Sequence, residues 1–133
     1  PSIRTLKSSS PPSRADPPSP LLPPMDYPLE VSVTEAHQLS TVNSTRARII
    51  DVREPHELAI CQLAQAEHIP MRDIPARADS LPRDQHLLIL CHSGGRSRRV
   101  TEFLRTQGFS AVSNIAGGIN AWALELDPTL RRY

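Results

Sequence analysis

The run HLLILC, residues 86–91, constrains the fold more than any other part of this 133-residue chain. Leu87 to Cys91 is its longest unbroken apolar stretch. Successive side chains of a strand point to opposite faces, so a strand apolar at every position must be covered on both. That is the place of a central strand in a parallel sheet with helices above and below. The run is too short to span a membrane or to form the core of a signal peptide, and a membrane is not an expected partner.

Around it, other short apolar runs alternate with helical patterns. LEVSV (29–33) reads as a strand, followed by a helix capped by Thr34 with Ala36 and Leu39 on one face. ARIIDV (47–52) reads as a second strand buried on both faces, and EPHELAIC (54–61) as a short helix with Pro55 in its first turn. AEHI (66–69) is a short strand stopped by Pro70. After the central strand, SRRVTEFLRTQG (97–108) predicts a helix with Ser97 as its capping hydroxyl. Val100, Phe103 and Leu104 form its apolar face, and Gly108 ends it. SAVSNI (110–115) and GGINAWALEL (117–126) give a last strand and a last helix. Strands separated by helices predict a three-layer α/β/α domain with a mostly parallel five-stranded sheet and right-handed crossovers.

That domain is expected over residues 25–133. Residues 1–24 hold more than half of the 14 prolines and no apolar periodicity, and are expected to be a disordered Pro/Ser-rich tail. Fifteen Lys and Arg against 14 Asp and Glu leave no basic stripe, so nucleic acid is not an expected partner. Cys61 and Cys91 form no disulfide framework and, with five scattered histidines, no metal-ligand spacing. No metal or cofactor is expected, and the expected compartment is reducing and cytoplasmic.

Ligands of such folds sit outside the carboxyl ends of the strands, and Cys91 closes the strongest strand. The next residues are His92, Ser93, Gly94, Gly95, Arg96 and Ser97. Two glycines allow backbone N–H groups to turn inward as an anion-binding nest, and the positive end of the next helix adds to that field. A sulfur anion is stabilised there and becomes a nucleophile. Arg96, Arg98 and Arg99 keep the mouth positive, which suits a small anionic substrate. The plainer alternative is a cysteine that only fills the core; the glycines, the arginine and the hydroxyl favour a reactive thiol.

Four segments in order resemble the rhodanese (thiosulfate sulfurtransferase) family: DVREPHE (51–57), AEHIP (66–70), CHSGGRS (91–97) and NIAGGINAW (114–122). The resemblance implies the rhodanese-like fold and a persulfide mechanism. Cys91 would take a sulfane sulfur from a donor such as thiosulfate and yield it to cyanide, a thiol or a sulfur-carrier protein. The backbone from His92 to Ser97 would be the anion cradle, Arg96 an electrostatic or structural contributor, and the side chains of His92 and Ser93 would need no chemical role. Related phosphatases place five residues between cysteine and arginine; here there are four, a loop one residue too tight for phosphoryl transfer. A protein-binding module that kept the fold without catalysis is the alternative from another class. AWALELDPTLRRY (121–133) resembles the end of rhodanese domains attached to adenylating enzymes of thiamine and molybdopterin synthesis, which pass sulfur to a carrier protein and often finish in an aromatic.

CQLAQA (61–66) departs from the family's Gly-His-Ile-Pro-Gly-Ala. Cys61 reads as a structural filler rather than a resolving thiol. Asp51 and Arg53 read either as support behind the loop or substrate attraction, or as part of a structural ion pair, for instance Arg53 with Glu57. His37, His56, His68 and His86 read as incidental, Trp122 as packing of the last helix, and Arg98, Arg99 and Arg105 as a solvated helix face.

Overall fold

A computed structural model of the chain describes residues 27–42 and 46–133; the expected tail at 1–24 lies outside them. The elements are β1 (Glu30–Val31), α1 (Val33–Val42), β2 (Ala47–Asp51), α2 (Pro55–Leu58), β3 (Glu67–His68), α3 (Ile74–Arg77), β4 (His86–Leu90), α4 (Gly95–Thr106), β5 (Val112–Ile115) and α5 (Gly118–Glu125). Short 3-10 turns at Met71–Asp73 and Ala78–Ser80 flank α3. The five strands make one sheet in the order β1-β5-β4-β2-β3, and every pair is parallel. Among the described residues no helix is long and apolar enough to cross a membrane.

Every residue of β4 is buried, and the strand divides its side chains between two cores. Leu87 and Ile89 point with Ile50, Val100, Leu104 and Val112 toward α3 and α4. Leu88 and Leu90 point with Ile49, Ala36, Ile119 and Trp122 toward α1 and α5. This is the two-sided burial that an unbroken apolar run demands. Trp122 is 3% exposed and meets the edge of His37 at 5.7 Å, in line with its reading as packing.

Three local expectations are corrected, and one segment without an expected element is filled in. Ser32, not Thr34, caps α1: its hydroxyl accepts the Glu35 N–H at 3.1 Å, and the Glu35 carboxylate accepts the Ser32 N–H at 2.9 Å. Leu39 is exposed, so Ala36 faces the core without it. Arg105 is not on a solvated face; its guanidinium donates to the carbonyls of Val112 (2.8 Å), Tyr27 (2.7 Å) and Pro28 (3.1 Å), pinning the entry to β1 against β5. The segment 71–80, read as no element, forms turns and α3 that bury Ile74 and Ala78.

His86 is likewise not incidental. It is 7% exposed, shares a hydrogen bond with the Ser113 hydroxyl at 2.8 Å, and packs on the Tyr27 ring at 4.8 Å. Burial, aided by the nearby Arg105 charge, pushes its imidazole down to about 4. A histidine kept neutral in the fold contributes stability that is full above the ordinary value of 6.5 and lost as pH falls toward 4. Chemical denaturation between pH 7 and pH 4 is expected to show a loss of about 3 kcal/mol from this group. In His86→Gln that part of the slope disappears.

Candidate active site

At the carboxyl end of β4 the chain leaves the sheet as Cys91, 1% exposed, and turns at once into α4. Gly94 makes the turn. Its φ of +110° is left-handed, and a Cβ there would meet the Gly117 nitrogen at 3.3 Å. Gly95 does not need its freedom: it has no left-handed φ, and nothing lies within 4 Å of an added Cβ. Ser97, expected as the cap, stands inside the first turn of α4, and Gly94 occupies the cap position. The first helical bond runs from the Arg98 N–H to the Gly94 carbonyl at 3.2 Å. The N–H groups of Gly95, Arg96 and Ser97 therefore have no acceptor within the helix.

Two donors converge on Cys91 Sγ, the Gly94 N–H at 3.1 Å and the Ser97 hydroxyl at 3.2 Å. The same hydroxyl also reaches Asn114 Oδ1. One hydroxyl proton serves one acceptor at a time, so Cys91 Sγ and Asn114 Oδ1 compete for it. Asn114 is held in turn, its amide donating to Glu30 at 3.0 Å and to the Gly94 carbonyl at 3.2 Å. On the other side, α5 grips the loop's main chain: the N–H groups of Ile119 and Asn120 donate to the carbonyls of Cys91 (2.9 Å) and His92 (3.0 Å). Only a glycine fits at Gly118, where a Cβ would fall 2.4 Å from the Cys91 carbonyl oxygen.

A sulfur at a strand end, a glycine turn and a helix N-terminus thus form one compact anion-stabilising corner. Residues 32–125 match the rhodanese-like domain family. The chain belongs to that family. It is 44% identical over 80 residues to the putative sulfurtransferase YtwF of Bacillus subtilis, covering 60% of this chain and 77% of that protein. It is 36% identical over 110 residues to the rhodanese-like/PpiC domain-containing protein 12 of Arabidopsis thaliana, but spans only 37% of that protein. A maize adenylyltransferase and sulfurtransferase, MOCS3-1, is 32% identical over 92 residues, which are 20% of its length. Among solved structures, a rhodanese-like domain protein from Staphylococcus aureus superposes with a TM-score of 0.65 at 30% identity, covering 78% of this chain and 97% of that one.

In this rhodanese-like domain the remaining site residues divide. Arg96 is fixed by Glu57: its two terminal nitrogens donate to the two carboxylate oxygens at 2.6 and 2.8 Å. That guanidinium, with burial opposing and the Glu54 N–H and Tyr133 hydroxyl assisting, holds the Glu57 carboxyl down to about 2. The expected Arg53–Glu57 pair is therefore absent; Arg53 is fully buried and pairs with Asp51 at 2.8 Å. Neither Asp51 nor Arg53 has a hydrogen bond to the 91–97 loop. Ser93 is exposed, and the His92 ring lies flat on Tyr133 at 4.0 Å and 12°. Cys61 packs against the α1/α5 core, and its carbonyl accepts an Arg53 N–H at 2.8 Å.

Glu57, Asn114 and Tyr133 are site residues to which sequence reasoning gave no role at the loop. Glu57 stands four residues past Arg53 at the edge of a recognised motif, but its partner Arg96 is 39 residues away. Tyr133 had as its only signal the aromatic closing a familiar terminal pattern.

The two loop glycines should respond oppositely to alanine. Gly94→Ala forces a left-handed residue and a close backbone contact, and is expected to cost about 1–3 kcal/mol in chemical denaturation. Gly95→Ala places a better helix former in an open first turn and is expected to be neutral or to stabilise by up to about 1 kcal/mol.

Proposed function

We propose that this chain is a sulfurtransferase that carries a sulfane sulfur on Cys91, with a small anionic donor such as thiosulfate and a cyanide, thiol or carrier-protein acceptor. The observation that carries the reading is the corner at Cys91 Sγ, two donors at 3.1 and 3.2 Å beside a helix N-terminus. It is supported by relatives named as sulfurtransferases in Bacillus subtilis and Allochromatium vinosum. A reducing, cytoplasmic setting suits a thiol that must return to its free form.

In the first half-reaction the Cys91 thiolate attacks the outer sulfur of thiosulfate. A bond forms between Sγ and that sulfur, the old sulfur–sulfur bond breaks, and its electron pair leaves with sulfite. The terminal sulfur of the persulfide carries negative charge. Main-chain donors already in place stabilise it without reorganisation, and the uncommitted N–H groups of Gly95, Arg96 and Ser97 are the nearest in sequence. In the second half-reaction an acceptor such as cyanide attacks the terminal sulfur, thiocyanate leaves, and the electron pair returns to Cys91. No external oxidant or reductant is consumed.

Two alternatives fit less well. Phosphoryl transfer needs a loop wide enough for a phosphate and its oxygens, and only four residues separate Cys91 from Arg96, two of whose donors are taken by Glu57. A purely protein-binding module has no use for a cysteine held by two donors.

Intact mass of the reduced protein after thiosulfate, and again after cyanide, is the direct test. One sulfur is expected to appear and then to be removed, with thiocyanate released, and Cys91→Ser is expected to lower turnover by roughly a thousandfold or more. Full turnover in Cys91→Ser would sink the mechanism.

A further inference from the structure

The segment after α5 returns to the loop, and Tyr133 is where it lands. Its hydroxyl accepts an Arg53 N–H at 3.0 Å and donates to Glu57 at 2.8 Å. Its ring stacks on His92. Burial pushes the phenol up to about 12, so at neutral pH it keeps the proton it donates. Arg131, Arg132 and Tyr133 close over a seam lined by Cys61, His92 and Asn120.

The 91–97 loop is thereby held at two ends by one carboxylate. Glu57 binds Arg96 directly, and through the Tyr133 hydroxyl it holds the ring on which His92 lies. Gly94, whose N–H points at Cys91 Sγ, lies between those ends. The main chain on the inner side is held by the Asn120 N–H on the His92 carbonyl and the Asn114 amide on the Gly94 carbonyl. Ser93 is exposed, with no side-chain hydrogen bond among those described, which leaves the outer side of the loop to the Tyr133 stack and Arg96.

We propose that Tyr133 and Glu57 are positioning residues: together they hold the loop in the shape that aims the Gly94 N–H at sulfur, which makes the segment 131–133 part of the site. The inference rests on the persulfide reading for its kinetic consequence and not for its structural one. The ring contact matters most, because it fixes the residue next to Cys91; the hydroxyl sets where the ring sits.

The experiment compares the full chain with Tyr133→Phe and Tyr133→Ala. Tyr133 is 40% exposed, so both variants are expected to fold, and melting temperatures check this. Amide hydrogen exchange is read at Gly94, with Leu88 and Ile89 in β4 as internal controls, alongside kcat and KM for thiosulfate with cyanide as acceptor. In Tyr133→Ala, Gly94 is expected to exchange about tenfold faster with the β4 amides unchanged, and kcat to fall about tenfold while KM moves less than about twofold. Tyr133→Phe, which keeps the stack, is expected to stay within about threefold of the parent on both readouts. Unchanged Gly94 exchange in Tyr133→Ala overturns the proposal. A rise in kcat also overturns it, because Tyr133 would then be an obstruction. If the parent protein transfers no sulfur from any donor, the persulfide reading fails, and the exchange comparison still decides whether Tyr133 holds the loop.

Discussion

A guanidinium with no exposed surface sits where β2 leaves the sheet. Arg53 keeps its charge there only because every donor is met. Asp51 takes Nε and one terminal nitrogen, the Cys61 carbonyl takes the same terminal nitrogen, and the other reaches Tyr133 and the Glu57 carbonyl. Burial alone weakens that charge, yet the hydrogen bonds of Asp51 and Tyr133 raise its hold on the proton above the usual arginine value. Leaving such a group without one partner costs far more than the pair contributes when intact. The segment from Asp51 to Cys61 is therefore committed to a single path, and α2 is placed by it.

From Arg53 the polar contacts run outward in alternating sign. Asp51 and Arg53 form a buried pair, the Tyr133 phenol bridges Arg53 to Glu57, and Glu57 closes on Arg96. Arg96 is therefore a strut before it is an attractor. Its charge is largely balanced by a carboxylate that stays ionised down to about pH 2. The field at Cys91 then falls chiefly to the backbone, to the Gly94 N–H and the start of α4. In the proposed reading, a cradle of this kind reads charge and size rather than a particular donor.

How much of this was legible in the sequence follows from the range of each signal. The unbroken run 86–91 carried the central strand and its two-sided burial, because every position needed the same environment. CHSGGRS carried the corner at Cys91, since glycines, hydroxyl and cysteine lie within seven residues. Even there the helix start was misplaced: a hydroxyl is the commoner cap, but here Gly94 makes the left-handed turn and Ser97 is drawn inward by Cys91 and Asn114. The segment 71–80 was missed although Ile74, Ala78 and Leu81 recur at helical spacing, because Pro70, Pro75 and Pro82 mask the period. His86 and Arg105 were misjudged because a polar residue's partners lie on other strands, and no local pattern announces them.

Arg53 does lie in a structural ion pair, but with Asp51 instead of Glu57, and the pairing of Glu57 with Arg96 shows why. Arg53 and Glu57 are four residues apart, the spacing at which opposite charges on a helix meet. But Arg53 precedes α2 rather than lying on it, and Asp51, two residues earlier, is buried beside it. The nearer carboxylate takes the arginine, and Glu57 is released for the next cation, which α4 supplies. The exchange of partners is what couples the DVREPHE segment to CHSGGRS: with Asp51 on Arg53, both Glu57 oxygens are turned to the Arg96 fork. The same carboxylate can accept Tyr133 as well, because its oxygens offer more lone pairs than one guanidinium uses. Local competition at the end of β2 thus decides the electrostatics of a loop on β4.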